Sequence, residues 1–150
     1  MDARTTSRQA PKRKTPQVKT HHLDSSILIP YVSAKIKRRV GERNDKAERF
    51  ISGCRAKIKI STAALAETLR HFRGEHEVEE CLEANFTAAL PLTSRTARRW
   101  ARLQNLNGTM GDNDAWVAAL AIDDNGIVVG HDKSAFHDRP DVEYIDYMKA

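Results

Sequence analysis

Apolar positions in this chain come in short runs, and the runs alternate between two spacings. The clearest example spans Met110 to Asp132, MGDNDAWVAALAIDDNGIVVGHD. Ala115 to Ile122 passes without a Gly, a Pro or a charge, which predicts a largely buried helix. Asp112, Asn113 and Asp114 stand ahead of it, where side-chain acceptors cap free backbone N–H groups and meet the positive end of the dipole. Asp123-Asp124-Asn125-Gly126 is turn chemistry, with Asn-Gly suited to positive φ. Ile127-Val128-Val129 then reads as a parallel strand covered on both faces. Asp132 emerges beyond its carboxyl end, where open α/β sheets bind their ligands.

The same reading extends along the chain. Leu23 to Ile29 (LDSSILI) predicts a first strand, preceded by His21-His22 and interrupted by Asp24. An unpaired carboxylate in a buried strand is costly, so Asp24 needs cations or hydrogen-bond donors around it. Pro30 then fits the first turn of a helix. A basic segment Lys35–Arg43, a short helix over Asp45–Ser52 and a second strand over Lys57–Ile60 follow. On the helix that starts at Ser61, Ala63, Ala66, Glu67 and Arg70 share one side. Glu67 therefore points either into a cleft or to solvent, beside Arg70 or His71. An acidic helix is expected over Glu75–Ala84 and a third strand over Phe86–Leu92. Thr93-Ser94 caps a helix from Arg95 to Leu106, and Val142–Ile145 makes a last edge strand. Strands alternating with helices predict one α/β domain: a mostly parallel central sheet flanked by helices on both faces.

Composition narrows the class without choosing a function. At 150 residues, 40% hydrophobic and 30% charged, the chain suits a single globular domain. No apolar run approaches the roughly 20 residues of a membrane span, and the basic N-terminus lacks the apolar segment of a secretory signal. Cys54 and Cys81 show no paired metal-ligand spacing and fit a reducing cytoplasm. Charge is unevenly spread. Residues 1–20 hold six Lys/Arg and one acid, while residues 21–150 hold 19 of each sign. We read 1–20 as a disordered basic arm, a solubilising tail or a nucleic-acid contact, ahead of a folded domain over 21–150. Within the domain, Lys35–Lys59 carries ten bases and three acids, and Asp112–Asp146 nine acids and two bases. That polarity suits a polyanion held by cations beside an acidic, metal-binding centre.

Four acids recur at the ends of predicted elements: Asp24, Glu67, Asp114 and Asp132. Each has an ordinary explanation as a cap or a solvated side chain. Gathered in one pocket, they would repel one another, and Mg2+ or Mn2+, which prefer hard oxygen ligands, relieve such repulsion. Arg95, Arg98, Arg99 and Arg102 fall at i, i+3, i+4 and i+7, a cationic stripe that either contacts phosphates or is a basic solvent face, pairing with the acidic helix Glu75–Glu83.

With these stretches in register, the sequence resembles the PIN-domain ribonucleases, most closely the VapC-type toxins of toxin–antitoxin pairs. The matching segments are LDSSILI, STAALAETLR, GDNDAWVAALA and IVVGHDKSAF, covering about Leu23 to Asp146. The resemblance implies that Asp24, Glu67, Asp114 and Asp132 form a catalytic, metal-binding quartet, with Ser26 supporting it. It implies Mg2+- or Mn2+-dependent hydrolysis of RNA, leaving a 5′-phosphate and a 3′-hydroxyl. It also implies a homodimer silenced by a cognate antitoxin. Asp112, with Asn113 beside it, stands as an outer acid or a helix cap. The family pattern often has Thr two positions before the last acid; this chain has Gly130. Two rivals remain: a phosphoryl-transfer domain with Asp24 as nucleophile, and a non-catalytic nucleic-acid-binding module using the basic arm and the arginine helix.

Overall fold

The computed structural model describes residues 18–86, 89–105, 110–132, 136, 139 and 141–150. The chain runs β1 (His21–Leu23), α1 (Ser25–Lys35), α2 (Glu42–Gly53), β2 (Ile58–Ile60), α3 (Thr62–His71), α4 (His76–Asn85), α5 (Ser94–Asn105), α6 (Asp112–Asp123), β3 (Ile127–Gly130) and β4 (Tyr144–Asp146). All strand pairs are parallel, in the order β2-β1-β3-β4. The expected α/β class therefore holds, with a wholly parallel sheet.

Alternation within β1 shows that helices cover both faces. Neighbouring strand residues point to opposite sides. The His21 ring lies 6.2 Å from that of Phe50 on α2, while His22 Nε2 reaches Asp124 Oδ2, at the end of α6, at 2.9 Å. α1 packs along α2 and α5 along α6, and α3 touches both α1 and α6. The core joins Leu23, Val128 and Val129 of the sheet to Ile27, Leu28 and Val32 of α1 and Val117 of α6. As expected, α6 is buried from Val117 through Ala121, and Asn125 takes a positive φ of 51° in the turn to β3.

Three expectations are corrected. First, the strand ends at Leu23, and LDSSILI folds mostly as helix α1. Four apolar residues in a seven-residue stretch fit a strand or a buried helix equally well by periodicity. The cap decides: Asp24 is extended, at φ −84° and ψ 161°, and its carboxylate accepts from the backbone N–H of Ser26. Pro30 consequently sits in the second turn of α1, not its first.

Second, Phe86–Leu92 forms no strand among its described residues; positions 87–88 lie outside them. A single parallel bridge joins Ser61 to Leu90, with Leu90 N–H donating to the Ile60 carbonyl at 2.8 Å. Pro91, which cannot donate, follows at once. Third, the N-cap of α6 is Gly111, without a side-chain cap, so Asp112, Asn113 and Asp114 are not the expected N-cap, although Asp112 and Asp114 do lie in the first turn, at the positive end of the dipole. The basic arm lies outside the described residues through position 17.

Candidate metal centre

The carboxyl ends of β1 and β3 lie side by side, since Asp24 N–H donates to the Val129 carbonyl at 2.9 Å. Asp24 follows β1 directly and is 2% exposed. Ser26 holds one of its oxygens twice: its backbone N–H donates to Oδ2 at 3.2 Å and its hydroxyl at 2.6 Å. The other oxygen, Oδ1, is buried with no hydrogen-bond partner.

Glu67 comes from the middle of α3, a helix capped by Ser61, whose hydroxyl accepts from Ala64 N–H at 3.0 Å. Its Oε1 accepts from the Ser25 hydroxyl at 3.3 Å. Of the two orientations open to it from sequence, the structure shows the inward one. Asp114 enters from the first turn of α6. Asp24, Glu67 and Asp114 each offer an oxygen, and the three atoms lie within 4.8 Å of one another.

Asp132, two residues beyond β3, is not one of those mutually close three. Its backbone N–H donates to the Tyr144 hydroxyl at 2.9 Å, and its charge reaches Asp114. Burial pushes the Asp114 carboxyl up to about 7, and Asp24, Asp132 and Glu67 add repulsion. Burial likewise lifts Asp24 to about 6, against the pull of the Ser26 hydrogen bonds. No described cation forms an ion pair with Asp24, Glu67 or Asp114. Hard oxygen donors crowded together, one of them orphaned, fit a small divalent cation.

The surrounding shell was largely invisible in sequence. The Ser26 hydroxyl accepts from His131 N–H at 2.9 Å while donating to Asp24. A Cβ at Gly130 would fall 2.5 Å from that hydroxyl and 3.1 Å from Asp24 Cβ. Ser26 occupies the space that a side chain at position 130 would enter. His131 Nδ1 lies 2.8 Å from Asp146 Oδ1. Burial works against ionisation of Asp146, but His131 and the Met148 N–H outweigh it and hold the carboxyl low. These partners lie on different elements with no short-range spacing between them. Only Ser26, two residues from Asp24, carried a local signal.

Asp112 turns away from the centre. Its Oδ1 accepts from Gln104 at 3.1 Å and its carbonyl from the Trp100 indole at 3.0 Å. Asn113 is half-buried beside it. The arginine stripe lies on α5, and its members differ: Arg99 Nε meets Asp123 Oδ1 at 3.1 Å, while Arg95, Arg98 and Arg102 are exposed. No described side chain of the acidic helix α4 forms an ion pair with them.

No curated protein matches the chain. Solved structures of similar fold include FitAcB from Neisseria gonorrhoeae, at 14% identity and TM-score 0.67 over 87% of this chain and 99% of that one. VapBC2 from Rickettsia felis, bound to a DNA fragment from their promoter, gives 17% identity and TM-score 0.62 over 84% and 97%. VapBC-5 of Mycobacterium tuberculosis, from a family of toxin–antitoxin systems, gives 22% and 0.54 over 85% and 98%. The PIN-domain family model matches residues 22–141, so that β1 from His22 onward, β2, every helix, β3 and the acids Asp24, Glu67, Asp114 and Asp132 fall inside it, and the chain belongs to the PIN-domain family.

Proposed function

We propose that this protein is a divalent-metal-dependent endoribonuclease and the toxin of a toxin–antitoxin pair. The observation that carries the reading is the cluster of Asp24, Glu67 and Asp114, whose oxygens lie within 4.8 Å of one another. Asp24, Glu67, Asp114 and Asp132 would hold Mg2+ or Mn2+. Such an ion, when bound, lowers the pKa of an attacking water and neutralises charge developing on the phosphate. The chain's own part is to fix the acids: Ser26 orients Asp24, and the Tyr144 hydroxyl holds the backbone of Asp132. Asp112 and Asn113, adjacent to Asp114, stand outside this set, with Asp112 Oδ1 taken by Gln104.

Exposed Arg95, Arg98 and Arg102 would hold RNA phosphates, positioning the strand without reading its sequence. Cleavage would leave a 5′-phosphate and a 3′-hydroxyl. An antitoxin partner is supported by the toxin–antitoxin complexes among the similar folds. A homodimer and a cytoplasmic location complete the proposal. No described helix is long and apolar enough to cross a membrane.

The test is cleavage of single-stranded RNA with Mg2+ or Mn2+ and in EDTA, for the native protein and for Asp24→Asn and Asp114→Asn. Asn retains the capping oxygen at position 24, so the fold should survive while hydrolysis is lost. RNA cleavage by purified Asp24→Asn at the native rate refutes the carboxylate assignment. A binding module without catalysis would bind RNA equally well with and without metal and leave it intact.

A further inference from the structure

The acidic centre accounts for one end of the molecule, but the basic segment between Lys35 and Lys59 lies elsewhere. Part of it lines a cavity of about 540 Å3 between α2 and the C-terminal residues, with Lys46, Arg49, Arg55, Phe50, His21 and Tyr147 on its walls. Among the described residues, no acidic side chain lines it. Lys46 is already engaged by the Met148 carbonyl at 2.9 Å and by Glu42 at 3.2 Å. Arg49 and Arg55 are exposed, and neither forms an ion pair with a described carboxylate.

Val18, also in the wall, is where residues 1–17 join the fold. That segment carries Arg4, Arg8, Lys12, Arg13 and Lys14 against the single acid Asp2. Residues 1–17 and the cavity's arginines carry the same sign of charge, and that repulsion disfavours the segment as the cavity's occupant. Arg49 Nε donates to the Asp45 carbonyl at 3.4 Å, which leaves its charge without a described carboxylate partner. Guanidiniums of that kind beside a half-buried aromatic ring are the elements that hold unpaired nucleotides, through phosphate contact and base stacking. A duplex hides its base faces and has none to offer Phe50.

We infer that the α2 cavity, with Arg49, Arg55 and Phe50, is a binding site for a single-stranded RNA segment away from the acidic centre. The inference rests on the RNA reading above and assigns a second contact surface to it. Tyr147 links the two regions, since it lines the cavity and its hydroxyl donates to the Ser26 carbonyl at 3.2 Å.

The experiment measures affinity for a fluorescent 12-nucleotide single-stranded RNA in EDTA, across salt, for the native chain, Arg49→Ala/Arg55→Ala and Arg49→Lys/Arg55→Lys. Loss of two phosphate contacts should flatten the log–log salt slope by about 1.4, at roughly 0.7 per phosphate for single strands. Affinity at about 0.1 M salt should fall roughly tenfold, and the lysine pair should recover most of both. Mn2+ affinity should be unchanged in both variants. An unchanged slope in the alanine pair overturns the site. Equal, arginine-dependent affinity for duplex RNA or duplex DNA overturns the single-strand assignment, and arginine-dependent binding of AMP with no gain for RNA overturns the polymer. Because binding is read without metal, the result is independent of cleavage: a protein that binds here but never hydrolyses RNA refutes the nuclease reading alone.

Discussion

The Tyr147 hydroxyl donates to the backbone carbonyl of Ser26 at 3.2 Å. That carbonyl would otherwise receive the N–H of residue 30 in the α1 ladder, and Pro30 has none to give. A residue near the C-terminal end of the described chain thus repairs a defect in the first helix, one turn from Asp24. Tyr147 is 1% exposed, so no solvent takes over if its hydroxyl is removed. Tyr147→Phe keeps the ring and should cost about 1–3 kcal/mol, the penalty for an orphaned buried acceptor. Chemical denaturation measures it; a cost below about 0.5 kcal/mol means the carbonyl has another partner.

Gly130 yields a sharper expectation. A methyl at this position meets the Ser26 hydroxyl at 2.5 Å, and that hydroxyl bonds Asp24 and His131 N–H at the same time. Rotating Ser26 aside relieves the clash but surrenders both bonds. Gly130→Ala should therefore weaken Mn2+ binding by tenfold or more, at 1.4 kcal/mol per factor of ten. Ser26→Gly in the same chain should remove the clash and recover stability but not the full metal affinity. Titration calorimetry of the three proteins checks this, and native affinity in Gly130→Ala would show that Ser26 has room to yield.

Much of this architecture was legible because it is written in local spacing. The uncharged run of α6, the Asp-Asp-Asn-Gly turn and the β-branched strand after it each need only neighbouring residues to be read. LDSSILI departs from the strand expected of it because its few apolar positions suit strand and buried helix alike, and the deciding Asp24–Ser26 cap is a side-chain contact. The four acids stood out by position at element ends. Their surroundings did not: Tyr144 to Asp132, Tyr147 to Ser26 and His131 to Asp146 are pairings that only the parallel sheet brings together.

The raised carboxyls set a pH dependence whose sign can be fixed. Asp24 at about 6 and Asp114 at about 7 both lie above their ordinary 3.8. Between those limits the metal-free folded protein binds more protons than the unfolded chain, so its stability falls as pH rises. The contribution is whole below about pH 4 and is lost as pH passes through 6 and 7. For the almost fully buried Asp24 it is on the order of 3 kcal/mol, at about 1.4 kcal/mol per pKa unit. His22 works the other way: burial holds its pKa down despite Asp124, so acid penalises the folded state there. The difference between native protein and Asp114→Asn isolates the carboxyl effect. In EDTA, Asp114→Asn should melt higher than native at pH 8 and converge with it towards pH 5. Saturating Mn2+ should stabilise only the native protein, and more so with rising pH as protons cease to compete. Parallel melting curves across that range would mean that Asp114 carries no raised pKa.

The arginine helix divides according to a second periodicity that overlaps the stripe. Thr96 and Leu103 are buried, and Arg99 and Trp100 are half-buried. Together they repeat at i, i+3, i+4 and i+7 and make the face of α5 that meets α6. Trp100 stacks on Trp116 at 5.2 Å, and Arg99 meets Asp123. Arg99 belongs to both patterns, and packing claims it. Asp123 is 11% exposed in its side chain, with Oδ2 buried and unpartnered, so removing the guanidinium strands a carboxylate. Arg99→Ala should therefore cost roughly 1–2 kcal/mol, a melting-temperature drop of several degrees for a chain of this size. Arg98→Ala/Arg102→Ala should leave melting within a degree of native while raising KM for RNA severalfold, with turnover at saturation largely kept. Two measurements on each variant, thermal melting and the KM–kcat split, separate the roles. If Arg98→Ala/Arg102→Ala leaves KM unchanged, α5 does not touch substrate. If Arg99→Ala melts like the native protein, the Asp123 pair is no more than a surface contact.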